Sequence, residues 1–214
     1  FKGRGDSLFS AADASNIILI GYGATLRMRK ADYQSDAYEK AEWRMTLDFK
    51  GCQALRIEGL RLDSSGGDGI YLGATKERSY CRDVVIRNVH CVDHHRQGIS
   101  VISAIDLLIE NCLLSGTSGT APEAGIDFEP NRPNEKLVNC VVRNCLIENN
   151  RGAGVLVYLK NLSDASSPVS IRVEDCLIRG SNDVGMAVGA VPDAGPEGLI
   201  EFVRCTVEGS SKSG

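Results

Sequence analysis

The stretch from residue 84 to residue 101, VVIRNVHCVDHHRQGISV, decides the fold, because its pattern returns along the chain. A short apolar run leads into a polar turn, and the turn leads into Gly-Ile-x-Val. Residues 141–157, VVRNCLIENNRGAGVLV, repeat that order. Apolar and polar residues alternate over only a few positions in each copy, which predicts β-strands and not helices.

The repeat predicts a solenoid. Related copies begin near residues 54, 83, 106, 139, 170 and 199, with a looser copy near 15. The period varies between roughly 23 and 33 residues, which is the range of a solenoid coil. Stacked strand-turn-strand units bury one continuous core and form parallel sheets along the axis. We predict one all-β domain over 1–214, with about six to seven coils.

Within that domain, residues 16–51 are expected to form the first coil with an inserted loop, and residues 52–208 the regular coils. Both ends look truncated or uncapped. Open ends expose strand edges, so we expect self-association or missing flanking segments there.

Four aligned columns support the stack. The first is apolar and includes four of the eight cysteines, so we predict reduced thiols in the core. The glycine column predicts sites where the backbone of one coil passes close to the next. The asparagine column predicts a ladder of side-chain hydrogen bonds. In order, the columns are Leu60, Val89, Cys112, Cys145, Cys176, Cys205; Ile70, Ile99, Ile126, Val155, Met186; Gly69, Gly98, Gly125, Gly154, Gly185; and Asn88, Asn111, Asn144, Asp175.

With these coils aligned, the sequence resembles the pectin-lyase-like right-handed parallel β-helix proteins. The resemblance covers about residues 52–208, with weaker support from residue 16. It implies a right-handed parallel β-helix that acts on polysaccharides or oligosaccharides and is secreted or periplasmic. It implies no cofactor for a hydrolase, and a divalent cation such as Ca²⁺ for a lyase.

Charge and hydropathy argue against two other classes of partner. The formal net charge is -4 and the basic residues are scattered, so we expect no nucleic-acid binding. No apolar run approaches the roughly 20 residues that span a bilayer, so we expect no membrane insertion.

The segment GIDFEP at residues 125–130 predicts a catalytic acid pair. If Ile126 and Phe128 face the core, then Asp127 and Glu129 face outward, with their Cα atoms roughly 6.6 Å apart. Mutual repulsion raises the pKa of one acid in such a pair, so that one carboxyl can hold a proton for catalysis. The spacing lies near the low edge of the window for inverting glycosidases, and retaining chemistry stays open. A solvated strand is the alternative.

Polar residues from neighbouring coils are expected around this pair. We predict His95 as a further catalytic residue. Arg96 would hold a sugar carboxylate or sulfate, or form an ion pair with Asp127. The predicted substrate-binding residues are Asp68, Tyr71, His94, Arg96, Gln97, Glu123, Tyr158 and Trp43.

Asp68 lies in GGDGI, which is similar to the Asp-Gly-Ile element of polygalacturonase-type glycosidases. The likeness implies a substrate-binding or assisting acid role for Asp68. The rest of that family's pattern is missing from this sequence, because it has no Asp-Asp coil, no Gly-His-Gly and no Arg-x-Lys.

Three functions follow from these residues. The preferred one is a glycoside hydrolase that uses Asp127 and Glu129. The second is a polysaccharide lyase or uronate epimerase, in which His95 or Tyr158 takes the proton. The third is a glycan-binding β-helix without catalysis. We predict no bound metal for the hydrolase.

Overall fold

The computed structural model describes residues 3–212 of the chain. In this range the chain forms 21 strands and one short helix, and the strands form three parallel sheets of seven strands each. Each coil contributes one strand to every sheet. The predicted all-β parallel solenoid is therefore confirmed, with seven coils.

Sheet 1 carries the candidate site. Its strands, in coil order, are β1 (Phe9–Ala12), β4 (Leu47–Lys50), β7 (Ile70–Gly73), β10 (Ile99–Val101), β13 (Ile126–Phe128), β16 (Val155–Tyr158) and β19 (Met186–Gly189). The first strand begins at Phe9, ahead of residue 16 where the first coil was expected to start.

Sheets 2 and 3 complete each coil. Sheet 2 contains β2 (Ser15–Ile20), β5 (Gln53–Glu58), β8 (Cys81–Arg87), β11 (Ala104–Glu110), β14 (Leu137–Arg143), β17 (Val169–Glu174) and β20 (Gly198–Val203). Sheet 3 contains β3 (Thr25–Arg27), β6 (Arg61–Asp63), β9 (His90–Val92), β12 (Leu113–Ser115), β15 (Leu146–Glu148), β18 (Leu177–Arg179) and β21 (Thr206–Glu208).

The core lies inside the coils and has the predicted columns. Cys112, Cys145 and Cys176 are buried and Cys205 is partly buried, and all four are free thiols, as predicted. Burial in an apolar stack keeps such thiols protonated and unreactive.

The glycine column brings neighbouring coils into close contact. A Cβ atom built on Gly69 would lie 2.6 Å from the carbonyl oxygen of Gly98, and one built on Gly154 would lie 2.6 Å from that of Gly185. Any side chain at these positions would collide with the next coil. The predicted close approach of backbones is confirmed.

The asparagine column is not the predicted ladder. Asn88, Asn111 and Asn144 have φ angles of 54°, 55° and 52°, so they form left-handed corners between sheets 2 and 3. Among the described residues, no side-chain hydrogen bond joins these asparagines; Asn88 donates to the hydroxyl of Tyr22 instead. Asparagine suits the column because it tolerates the left-handed region better than most residues.

An insertion of residues 28–46, between β3 and β4, lies against the turns that connect sheet 3 to sheet 1. It contains α1 (Lys30–Tyr33). Arg44 is fully buried in it, donates to the carbonyl oxygens of Gly3 and Glu39, and lies over the rings of Tyr33 and Tyr38. Arg44 therefore ties the insertion to the N-terminal segment.

No helix in the described part of the chain is long and apolar enough to cross a membrane.

Candidate functional site

The candidate site lies on the outer face of sheet 1. In the strand register, Tyr71 pairs with Ser100 and Ser100 pairs with Asp127, the order that the sequence predicted. Asp48 of β4 pairs with Tyr71 and extends the same outward column. The sequence analysis missed Asp48, although LDF at 47–49 matches IDF at 126–128 and could have revealed it.

Asp127 faces away from the core but is fully buried, whereas we had expected a solvent-facing carboxylate. Its Oδ2 accepts a hydrogen bond from Gln97 Nε2 at 2.9 Å, and its Oδ1 has no hydrogen-bond partner. Burial, followed by the charge of Glu129 and a hydrogen bond to it, raises the pKa of Asp127 well above its usual value. The raised pKa favours the protonated form of Asp127, next to the partly exposed Glu129.

Gln97 holds Asp127 and does not reach solvent. Its side chain is fully buried, and its Oε1 accepts the backbone N–H of Ala124 at 2.9 Å. Both ends of the amide are thus used inside the protein. This differs from the expectation that Gln97 binds substrate, because its hydrogen-bonding groups are already taken.

Arg96 is surrounded by carboxylates. Its guanidinium nitrogens lie 3.5 Å from Glu129 Oε2, 3.8 Å from Asp68 Oδ2 and 3.8 Å from Glu42 Oε2. Burial opposes the charge of Arg96, but Asp68, Asp127 and Glu129 raise its pKa above the usual value. Arg96 therefore forms ion pairs with three acids of the protein, Asp68, Glu129 and Glu42, whereas the ion pair with Asp127 considered from the sequence is not found among the described residues. Glu42 was not predicted, because it comes from the insertion.

Asp68 is fully buried below Arg96. Neither of its carboxylate oxygens has a hydrogen-bond partner. Burial raises the pKa of Asp68 to about 7, against the opposing effect of Arg96. Asp68 thus changes its charge near neutral pH.

A cavity of about 220 Å³ opens beside Arg96. Its wall includes Asp48, Lys50 and Tyr71 from sheet 1 and Trp43 from the insertion. Trp43 is 45% exposed, so its ring is accessible. We name this cavity the sheet 1 pocket; it is polar and has two aromatic side chains in its wall.

The two adjacent histidines lie in the turn and differ in their contacts. His94 is fully buried, its Nδ1 lies 2.8 Å from Ser65 Oγ, and burial lowers its pKa to about 3. His95 is also buried and its Nε2 lies 2.9 Å from Thr120 Oγ1. Burial, with the nearby charge of Lys30, lowers the pKa of His95, so the ring is neutral at neutral pH.

His95 and Arg96 line two different cavities, and Trp43 is part of the wall of both. His95 lines a second cavity together with Glu42, Trp43 and Thr120, while Arg96 and Tyr71 line the sheet 1 pocket. His94 reaches neither cavity. The sheet 1 pocket is lined by neither histidine, and the acid pair adjoins it through the contact of Glu129 with Arg96 without lining it.

Glu123 and Tyr158 complete the predicted set. Glu123 accepts the backbone N–H of Gly119 and lies 3.6 Å from Arg151, so it supports the loop of its own coil. Tyr158 ends β16 and pairs with Gly189. Neither Glu123 nor Tyr158 lines the sheet 1 pocket.

Across residues 3–212, no group of three or more His, Cys, Asp or Glu side chains is arranged to hold a metal ion.

The coils and the site can now be compared with known proteins. The family described as "Right handed beta helix region" matches residues 46–194. The chain belongs to this family. The matched range includes Asp48, Asp68, Arg96, Asp127 and Glu129, so the acid cluster lies on the right-handed β-helix itself.

One relative of this right-handed β-helix is the "Uncharacterized protein YclG" of Bacillus subtilis (strain 168), which is 28% identical over 134 residues. The match covers 58% of this chain and 23% of that protein. This β-helix therefore corresponds to about a quarter of the relative's length. No solved structure matches the chain.

Proposed function

We propose that this β-helix hydrolyses glycosidic bonds of a polysaccharide or oligosaccharide on the outer face of sheet 1. The observation that carries the proposal is the acid pair, in which a fully buried Asp127 with a raised pKa lies beside the partly exposed Glu129. Glycoside hydrolysis needs one carboxyl that gives a proton and one carboxylate that stabilises positive charge on the sugar. The raised pKa of Asp127 suits it to the role of proton donor, and Glu129 is the second carboxyl group of the pair.

Glu129 is the member of the pair that meets the substrate, because its side chain is 25% exposed and Asp127 is fully buried. The proton held on Asp127 passes through Glu129 to the leaving-group oxygen as the glycosidic bond breaks. The remaining carboxylate stabilises the developing oxocarbenium charge. Water then adds to the anomeric carbon, and its released proton returns to the pair.

The supporting residues keep this pair in position. Gln97 donates to Asp127, and Arg96 holds Glu129 at 3.5 Å. Trp43 and Tyr71 provide aromatic faces in the adjoining pocket, on which sugar rings can stack.

The position of the histidines favours hydrolysis over elimination. A lyase needs a base next to a neutralised uronate carboxylate. His95 lies in a different cavity from Arg96, and the guanidinium of Arg96 is already shared among acids of the protein. Tyr158, the other base considered for elimination, does not line the sheet 1 pocket, and the raised pKa of Tyr71, caused by burial and by the charge of Asp68, keeps that hydroxyl protonated.

The test is turnover of the purified chain on a panel of polysaccharides and oligosaccharides. We expect new reducing ends without an ultraviolet-absorbing double bond. Glu129→Gln and Asp127→Asn should each lower turnover by about a hundredfold or more, the usual effect of losing an acid-base group. Asp127→Asn should also remove the alkaline fall of the pH profile, because the raised pKa of Asp127 controls it.

The matched control is Glu148→Gln on sheet 3, where Glu148 forms a surface ion pair with Arg179 at 2.8 Å. We expect wild-type turnover and unchanged thermal unfolding for this variant, since surface pairs contribute little. Full activity of both acid-pair variants would contradict the mechanism. An ultraviolet-absorbing product would identify a lyase, and binding without any product would identify a glycan-binding protein.

We also propose that the chain works outside the cytoplasm, secreted or periplasmic, because long glycan polymers are met there. Fractionation of the source cells, followed by detection of the chain in each fraction, tests this location. Recovery only in the cytoplasmic fraction would contradict it.

A further inference from the structure

The wall of the sheet 1 pocket contains an acid that is poised to bind a donor. Asp48 is only 8% exposed and lines the pocket. Its Oδ2 accepts from Lys50 Nζ at 2.9 Å and from Ser7 Oγ at 3.3 Å. Its Oδ1 is buried and has no hydrogen-bond partner. A buried carboxylate oxygen without a donor is costly, so a ligand that donates there gains affinity.

The charges around the pocket do not balance. Two cations, Lys50 and Arg96, face five carboxylates, Glu42, Asp48, Asp68, Asp127 and Glu129, while Arg4, which lies over the Trp43 ring, forms its own ion pair with Glu39 at 3.4 Å. Even when Asp68 and Asp127 hold their protons, three carboxylates remain for two cations. The site therefore stays negative, and neither cation is free to hold an anion.

Both cations are already engaged. Lys50 lies 2.9 Å from Asp48 and over the ring of Tyr71 at 5.4 Å. Arg96 lies within 3.8 Å of three acids. A sugar carboxylate would have to displace one of these ion pairs and approach a negative wall. This argues against the expectation that Arg96 binds an acidic sugar.

We propose that the sheet 1 pocket binds a sugar that carries a protonated amino group next to Asp48, and rejects uronic acids. A rotation of the Asp48 carboxylate turns its buried, unpartnered Oδ1 towards the pocket, where the ammonium donates to it, and the aromatic wall of Trp43 and Tyr71 covers the sugar ring. The inference rests on the proposed function only in taking the ligand to be a glycan.

The test compares three tetrasaccharides by calorimetry with the intact chain at about pH 6, where a free sugar amine is protonated. The probes are β-1,4-linked glucosamine, the neutral glucose equivalent and α-1,4-linked galacturonate. We expect the amino sugar to bind at least tenfold more tightly than the neutral one, and galacturonate to show no binding. Raising the salt concentration should weaken only the amino sugar. Equal binding of all three, or tighter binding of galacturonate, would overturn the proposal.

Two variants should move the affinity in opposite directions. Asp48→Asn should lower amino-sugar affinity about tenfold and leave the neutral sugar unchanged, because it removes the charge and keeps the shape. Lys50→Gln should raise amino-sugar affinity several-fold, because it leaves Asp48 unneutralised. Lys50 is 41% exposed, so this variant keeps the proposal testable if Asp48→Asn does not fold. An unchanged or reduced affinity for Lys50→Gln would contradict the proposal.

The control is Asp164→Asn, which removes an exposed carboxylate outside the pocket wall and should leave all three affinities unchanged. Binding and hydrolysis are measured separately, so the two proposals can fail independently. Charge-selective binding without any hydrolysis overturns the enzyme and keeps this inference. Hydrolysis together with preferred binding of galacturonate keeps the enzyme and overturns this inference.

Discussion

Asp68 is a fully buried acid whose pKa is raised from 3.8 to about 7 by burial. The folded protein therefore binds a proton at this site that the unfolded chain releases above about pH 4. The contribution of Asp68 to the free energy of unfolding is fully present below the pKa that this group has in the unfolded chain. That contribution is lost as the pH rises towards 7. Since a tenfold change in proton affinity is worth about 1.4 kcal/mol, the loss amounts to roughly 4 kcal/mol at most.

Asp68→Asn tests this at the residue scale. The amide keeps the shape and has no charge to desolvate, so the variant should gain stability relative to wild type as the pH rises from about 4 to 7. Urea unfolding of both proteins across that range measures the difference. A difference that stays constant with pH would show that the buried carboxyl does not titrate in this range.

Asp63 behaves in the opposite way. The hydrogen bonds from Ser64, Arg27 and Arg61 outweigh its burial and lower its pKa, so its contribution to the free energy of unfolding falls only at acid pH.

At the level of the strands, the stacking of the coils depends on the glycines that come directly before the strands of sheet 1. A Cβ atom on Gly98 would collide with the carbonyl oxygen of Gly125 in the next coil. A backbone oxygen cannot rotate away as a side chain can, so the two coils would have to separate.

We expect Gly98→Ala to lower the free energy of unfolding by about 1–3 kcal/mol, the usual cost of overpacking. Gly189→Ala is the matched control on the same sheet, because its added Cβ would meet only the ring of Tyr158, at 3.8 Å. The control should change stability by less than about 0.5 kcal/mol. Denaturant titration measures both, and an equal effect of the two variants would contradict the stacking argument.

The insertion of residues 28–46 is the other decisive element. It brings Glu42 next to Arg96 and Trp43 into the wall of the sheet 1 pocket. Its attachment uses Arg44, whose only hydrogen-bond acceptors in the described chain are backbone carbonyls. Lys30 adds a second attachment through Asp93 at 2.7 Å and Ser118 at 3.1 Å.

Across the whole molecule, the seven coils differ in how completely they are buried. Core residues of the central strands, such as Val84 and Ile109, are fully buried, while Ile17 and Phe202 in the outer coils are only partly buried. In a solenoid each coil is stabilised by its neighbours, and within residues 3–212 the first and last coils each have a neighbouring coil on one side.

We therefore expect backbone amides in β8, β11 and β14 to exchange with solvent at least a hundredfold more slowly than those in β2 and β20. Hydrogen-deuterium exchange followed by mass spectrometry of the folded chain measures this gradient. The same measurement in mild denaturant reports on opening of the whole chain. Under that condition the amide exchange rates of all coils should become similar. Uniform protection from the first coil to the last would show that the chain opens as one unit.

The solenoid could be predicted from the sequence because its signals are local and repeated. Gly98, Gly125 and Ile126 return at one position of each coil, so one strand sets the register of the next. The acid cluster could be predicted only in part. That register predicts the positions of Asp68, Arg96, Asp127 and Glu129. Asp48 was not predicted, because it lies in a short segment before the regular repeat.

The sequence by itself determined that the coils stack and that Ser100 and Asp127 share one outward column, because strand alternation and the repeat act between adjacent residues and adjacent coils. Only the tertiary structure decided that Asp127 is covered and that Glu42 joins the site beside Arg96. The insertion that supplies these contacts has no period, and its position depends on attachments between residues far apart in the chain, such as Lys30 and Asp93.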